Sequence, residues 1–165
     1  MSFKNFVSIK TGKLDANAQI EIGKYPFYTC AAIPSKIDTI LDDCECVLLV
    51  GNGANTGMVF YNNGPFNAYQ RTYIIRPLNK ENVKYLYWYL CNYSSFLLAS
   101  SIGSATNYIK LGDIQNLPDI KHDFTEQENI VKELDSLSSV VETKKSQLLA
   151  LDELVKSRFI SQEVA

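Results

Sequence analysis

The sequence predicts an α+β protein: a mixed, β-rich domain over residues 1–120, then one long coiled-coil helix over residues 125–160. Three observations predict it. Residues 1–118 are rich in Tyr, Phe, Asn, Gly and β-branched side chains. Residues 125–160 contain neither Gly nor Pro. Pro118 and the short segment "DIKHD" lie between these regions and mark a boundary. A chain of 165 residues suits one domain with an appended element and is long enough to bury a core.

In the first region, "CECVLLV" (44–50) reads as a buried strand. "GMVFYN" (57–62) and "AYQRTYIIRP" (68–77) read as further strands, with "NNGP" as the turn between them. "NKENVKYLYWYLCNY" (79–93) reads as a helix capped by Asn79, because Val83, Leu86 and Leu90 repeat at helical spacing. "SSFLLASS" either continues this helix or forms a short second one. "GSATNYIKLGDIQNLPDI" reads as a loop, then a turn of helix and a short strand.

The tail has the clearest pattern in the chain. "TEQE" (125–128) fits a capping box in which Thr125 and Glu128 exchange hydrogen bonds. Apolar residues then follow heptad spacing. Positions a are Leu134, Val141, Leu148 and Val155; positions d are Ile130, Leu137, Lys144, Leu151 and Arg158. A helix of about 36 residues spans about 54 Å at 1.5 Å per residue, too long to bury its seam on a domain of this size. The seam calls for a partner helix, so Ile130, Leu134, Leu137, Val141, Leu148, Leu151 and Val155 are the candidate dimerisation residues. A helix packed along its own domain is the alternative. An antiparallel partner would move Lys144 and Arg158 away from their own copies.

Composition excludes several classes. Hydrophobic residues make up 46% and charged residues 21%, as in a globular chain. No apolar run approaches a membrane span, and the start "MSFKNFVSIKTG" has no apolar core of a secretion signal. The net charge of −2 hides an asymmetry: residues 1–122 carry a net of +2 and residues 123–165 a net of −4. Cys30, Cys44, Cys46 and Cys91 lack metal-ligand spacing, and the single histidine, His122, sits far from them in sequence. They read as reduced structural thiols, and the chain as cytoplasmic. His122 reads as a solvated loop residue. No metal site is expected.

"GNGANTG" (51–57) is not a phosphate cradle by its residues. No Lys follows Gly57, the third glycine comes one residue late for a dinucleotide loop, and the "MVFY" behind it is strand-like. The glycines instead suit a tight β connection that leaves Asn and Thr side chains on a loop. No G-x-S-x-G, no HExxH and no framed carboxylate pair occurs, so no catalytic residue is assigned.

"IKTGKLDANAQIEIGKYPFYTCAAIPSKIDTI", "VLLVGNGANTGMVFYNNGPFNAYQRTYII", "YLYWYL" and "GSATNYIKLGDIQNLPDI" together resemble a target-recognition domain. The family is the specificity (S) subunits of Type I restriction–modification systems. The tail "TEQENIVKELDSL…LLALDELVKSRF" is similar to the spacer helix of that family. The resemblance covers essentially the whole chain and rests on the order and spacing of several segments. It implies a non-catalytic subunit that recognises double-stranded DNA and directs methyltransferase (M) and restriction (R) subunits to a bipartite site. S-adenosylmethionine and ATP then belong to those partners, and this chain carries no cofactor. A full subunit has two recognition domains and two helices paired antiparallel. This chain has one of each and is about half of one, with room for residues ahead of "MSFKNF". A homodimer through the helix would restore the whole and read an interrupted palindrome.

Base edges call for Arg, Lys, Asn, Gln and apolar contacts, and phosphates for Lys, Arg and hydroxyls. The candidates fall in three loops. The first holds Lys10, Thr11 and Lys13. The second holds Asn52, Asn55, Thr56, Tyr69, Gln70 and Arg71. The third holds Ser104, Thr106, Asn107, Tyr108 and Lys110. Gln70 suits adenine, and Arg71 guanine or a phosphate. Tyr85, Tyr87, Trp88 and Tyr89 look like an aromatic platform but fit a core or interface better. The rival reading is a coiled-coil assembly module that binds protein and not DNA. A third is a recognition domain cut from a fused restriction–methyltransferase enzyme.

Overall fold

A computed structural model describes residues 3–79, 82–101 and 107–163, with side chains to residue 158. The elements run β1 (Val7–Thr11), β2 (Tyr25–Tyr28), β3 (Ser35–Ile37), β4 (Asp42–Val50), β5 (Val59–Ala68), β6 (Thr72–Pro77), α1 (Val83–Ser100), α2 (Leu111–Gln115) and α3 (Phe124–Glu163). The fold is α+β. The chain divides into two compact units, Met1–Glu128 and Asn129–Ala165. Among the described residues no helix is long and apolar enough to cross a membrane.

The first unit is built on one six-stranded sheet in the order β1-β6-β4-β5-β2-β3. Every pairing is antiparallel except β2 with β5. β4 is central because its apolar run is buried on both faces, from Cys46 to Val50. Cys46 and Leu48 lie in an inner cluster with Tyr28, Phe66, Ala68 and Ile74. Val47 and Leu49 alternate to the opposite face, where α1 lies against β4, β5 and β6 with Leu86, Leu90 and Leu97 buried.

The sheet rolls up on itself. The chain leaving β1 meets the chain leaving β5, with Leu14 bridged to Tyr69. Gly12 sits at this closure. A Cβ added there would lie 2.0 Å from the Ala68 carbonyl oxygen and 2.5 Å from that of Tyr69. Only a residue without a side chain allows the two backbones to approach so closely.

Several elements differ from the sequence expectation. β5 runs straight through "NNGP", and the turn falls at Tyr69–Arg71, where the Thr72 amide donates to the Tyr69 carbonyl (2.9 Å). Pairing with β4 wins over the local turn signal. Asn62 turns its amide group inward to the carbonyls of Cys44 (3.0 Å) and Gly64 (2.8 Å) and accepts from the Tyr28 hydroxyl (3.1 Å). Gly64 takes φ +123° while keeping its register opposite Cys44. Pro65 is tolerated because β2 pairs with β5 only at Asn67 and Ala68, leaving that edge without a ladder. β1, β2 and β3 fall where the sequence predicts no element: β2 and β3 are four and three residues long, and the alternation Val-Ser-Ile-Lys-Thr of β1 runs over only five.

α1 starts at Val83 with Asn82, not Asn79, as its cap: the Asn82 side chain accepts from the Tyr85 amide (3.1 Å). "SSFLLASS" continues this helix to Ser100. The turn of helix near residue 113 is α2, but the short strand expected after it does not form; Leu117 and Ile120 are buried in irregular chain instead. α3 begins one residue earlier than expected. Its reciprocal cap joins Asp123 and Glu126, each amide donating to the other carboxylate at 2.9 Å, in place of Thr125 and Glu128. "DFTE" carries the same i, i+3 spacing as "TEQE" and lies one turn-fraction upstream, so it captures the helix start. His122 is exposed, yet its Nδ1 lies 2.7 Å from the Tyr85 hydroxyl, so it is a docked loop residue. Gln127 is fully buried: its Oε1 accepts from the Asn82 amide (3.0 Å) and its Nε2 donates to the His122 carbonyl (3.0 Å).

Two predictions follow from this core. Gly12→Ala is expected to lower stability by about 3 kcal/mol, the upper part of the range for overpacking. A urea titration reads it, and an unchanged midpoint would show that the sheet does not close there. The second concerns alkaline pH. Burial pushes the Cys46 thiol well above its ordinary value of 9.0, and neighbouring Cys44 adds to the shift. Above pH 9.0 the unfolded thiol ionises while the folded one keeps its proton. The unfolded state then binds fewer protons, so stability falls as pH rises. Cys46→Ala should make that fall shallower in pH-resolved melts; an identical slope would assign the fall to other groups.

Candidate nucleic-acid interface

Closure of the sheet gathers loops that are far apart in sequence. Past Thr11, the Gly12 amide donates to the Thr72 carbonyl (3.2 Å), and the Gln70 amide donates to Leu14 (2.9 Å). The Tyr69–Arg71 turn is therefore held beside Lys13. It is also tied to the end of β2: the Tyr69 amide and the Thr72 hydroxyl both donate to the Tyr28 carbonyl, at 2.9 and 3.1 Å. On its other side the Gly51 amide donates to the Arg71 carbonyl (3.0 Å).

The glycine loop is a hairpin between β4 and β5. Gly53 and Gly57 take φ +91° and +88°, the left-handed region that glycine enters without strain. A strand and not a helix follows it, so it offers no helix N-terminus to an anion. Its polar side chains point largely inward. The buried Thr56 hydroxyl bonds the carbonyls of Gly53 (2.6 Å) and Asn107 (3.1 Å). Asn55 donates to the Cys30 carbonyl (2.7 Å). Asn52 bridges Tyr108 through its backbone, and its side-chain oxygen is buried with no hydrogen-bond partner among the described residues. The Ile109 amide donates to Gly51 (2.8 Å), and the Tyr73 hydroxyl to Ile109 (2.8 Å). Burial pushes the Tyr73 phenol up, and the Asp113 charge adds to this, so it remains a donor.

The candidates thus sort by exposure. Lys10, Thr11, Lys13, Gln70, Arg71, Asn107, Tyr108 and Lys110 are exposed at this end of the sheet. Asn52, Asn55 and Tyr69 are half-buried, and Thr56 is buried. Ser104 and Thr106 lie outside the described residues. Four exposed cations, Lys10, Lys13, Arg71 and Lys110, mark the same end. The acids nearby are engaged: Asp113 accepts from the Lys110 amide (3.0 Å) and Asp15 from the Asn17 amide (3.2 Å).

A fourth loop belongs to this cluster and was not foreseen. Residues 29–34 join β2 to β3 and are held by Asn55 at Cys30 and by close approach of Gly53 to the Cys30 side chain. They present Ile33, 79% exposed, the kind of side chain that meets a thymine methyl. The Pro-bounded "TCAAIPS" was the available signal, but nothing local ties it to "GNGANTG", 20-odd residues away. Tyr85, Tyr87, Trp88 and Tyr89 of α1 are packed, whereas Phe96 is exposed. Tyr89 stacks on the buried Phe3 (5.2 Å), Tyr85 meets His122, and Tyr87 meets Tyr61 and Trp88. Among the described residues no group of three or more His, Cys, Asp or Glu could hold a metal ion.

The helix α3 is 40 residues long, about 60 Å at 1.5 Å per residue. Along it Leu137, Val141, Leu148, Leu151 and Val155 are 50–62% exposed, whereas Ile130 and Leu134 are half-buried.

The sheet and the long helix match part of solved S subunits. The chain superposes on the Type I restriction–modification S subunit from M. genitalium with a TM-score of 0.75 at 18% identity, covering 87% of this chain and 39% of that one. The HsdS subunit from Thermoanaerobacter tengcongensis gives 0.62 at 17% identity, covering 87% and 38%. In sequence, the chain is 38% identical over 150 residues to the EcoDI specificity subunit of Escherichia coli, a Type I restriction enzyme component. That match covers 91% of this chain and 33% of the relative, so the chain spans about a third of that protein's length. Residues 1–152 match the Type I restriction modification DNA specificity domain, and the chain belongs to that family.

The hairpin's internal bonding makes a prediction. Thr56→Val keeps the shape and leaves the Gly53 and Asn107 carbonyls short of a donor, which should cost about 1–2 kcal/mol. Amide exchange at Gly53, whose N–H donates to Asn107, should quicken with it. Unchanged exchange would mean that the hydroxyl does not hold the loops together.

Proposed function

We propose that this chain reads double-stranded DNA as the specificity component of a Type I restriction–modification complex and has no catalysis of its own. The observation that carries this reading is the convergence of loops from residues 10–14, 29–34, 51–57, 69–71 and 107–110 on one end of the sheet. Eight predicted polar or aromatic side chains are exposed there. Arg71 offers a donor fork, and Gln70 and Asn107 offer paired donor and acceptor groups, of the kinds that distinguish base edges, while Lys10, Lys13 and Lys110 are suited to phosphates. In this reading residues 1–120 are the recognition domain, and S-adenosylmethionine and ATP are bound by the M and R partners. The match to the EcoDI specificity subunit supports the reading.

The second part concerns assembly. The apolar seam of α3 is the surface through which a second copy would pair, since an exposed heptad stripe of this length is stable only against another helix. Two copies related by a twofold axis would present two reading ends to a bipartite site, with M subunits carried by the pair.

Methylation mapping tests both parts. The chain is expressed with its cognate M subunit in a methylation-free host, and modified bases are located by sequencing. The expected result is methylation at an interrupted palindrome. An asymmetric split site would sink the homodimer and mean pairing with a different S chain. A stable complex without methylation would overturn the recognition role and favour the assembly module.

A further inference from the structure

A second polar surface adjoins the reading end. Along the inner side of the rolled sheet runs an open cleft of about 410 Å³. Ser8 and Lys10 line one wall from β1. Arg76 lines the same wall from β6, directly opposite Ser8 in the ladder. Leu41 and Asp42 belong to the lining as well, and Lys13 carries it to the loop cluster. From Ser8 to Lys13 the chain spans about 16 Å at 3.3 Å per residue. Three cations and the hydroxyl residues Ser8 and Thr11 thus line the cleft with one carboxylate. That carboxylate is already used: Asp42 accepts from Arg76 (3.0 Å) and from the Asp43 amide (2.9 Å). Arg76 and Asp42 are nonetheless 42% and 44% exposed, so the pair is open to competition from an anion in water.

Resting on the recognition reading above, we propose that this cleft takes the sugar–phosphate strand flanking the bases that are read. Lys13, Lys10 and Arg76 contact successive phosphates, and Ser8 donates to one of them. DNA presents phosphates at regular intervals along each strand, so a row of three cations suits a continuous strand rather than a single ion. The Arg76–Asp42 pair acts as a gate. Arg76 leaves the carboxylate for a phosphate, and Asp42 sets a penalty on binding that its charge alone creates.

The test is a salt titration of the chain with its M subunit, on a labelled duplex carrying the mapped site and on an unrelated duplex. Lys10→Gln, Lys13→Gln and Arg76→Gln should each weaken binding to both duplexes alike. Each should reduce the slope of log K against log salt by about 0.9, one phosphate contact. Asp42→Asn keeps the carboxylate's shape, frees Arg76 and should tighten binding several-fold. That opposite sign is not expected of an ion pair serving stability, so it holds even if Arg76→Gln folds poorly. Arg76→Gln and Asp42→Asn both weakening binding, or both leaving slope and affinity unchanged, would overturn the cleft assignment while the recognition reading stands. A wild-type complex whose DNA affinity ignores salt would overturn both.

Discussion

The close approach of two backbones at Gly12 is the constraint on which the rest of the molecule depends. β1 and β5 are not neighbours in the sheet order, and only rolling brings their ends together. The roll encloses Tyr28, Cys46, Leu48, Phe66, Ala68 and Ile74 as a common core. It also sets the loop after β1 beside the turn before β6, and both beside the end of β2. A flat sheet with the same strand order would leave Gly12 and Ala68 apart.

Polar side chains near that interface divide into two roles. Thr56, Asn55 and Tyr73 face inward and bond carbonyls of neighbouring loops, which fixes the loops relative to one another. Gln70, Arg71, Asn107 and Lys110 face outward. A recognition surface needs both, because a base-reading fork is specific only when the backbone that carries it is held in place. The glycines of "GNGANTG" serve the first role: positive φ at Gly53 and Gly57 folds the hairpin tightly enough for Thr56 to reach Asn107.

The long helix obeys a different logic. Its start is fastened locally by the Asp123–Glu126 box and the buried Gln127. Beyond that, the seam residues from Leu137 to Val155 stay 50–62% exposed. Isolated helices gain little from propensity alone, and most helical stability comes from packing an apolar face.

By itself the sequence determined whatever depends on period and on local chemistry. The heptads of residues 130–158, the apolar run of β4, the helical repeat of Leu86 and Leu90, and the absence of a phosphate loop were all legible, because each rests on residues a few positions apart. So was the family, since several segments agree in order. The tertiary structure alone decided where competing local signals stop: "NNGP" became strand because β4 pairs with it, and "DFTE" rather than "TEQE" caps α3. It alone divided the candidate residues into inward and outward, burying Thr56 and exposing Arg71. And it alone set residues 29–34 beside the glycine hairpin and Arg76 beside Asp42. Apart from the α3 cap, which is local, those placements are set by hydrogen bonds and pairings between residues 16 to 51 positions apart, and no short stretch of sequence carries information about a partner that distant.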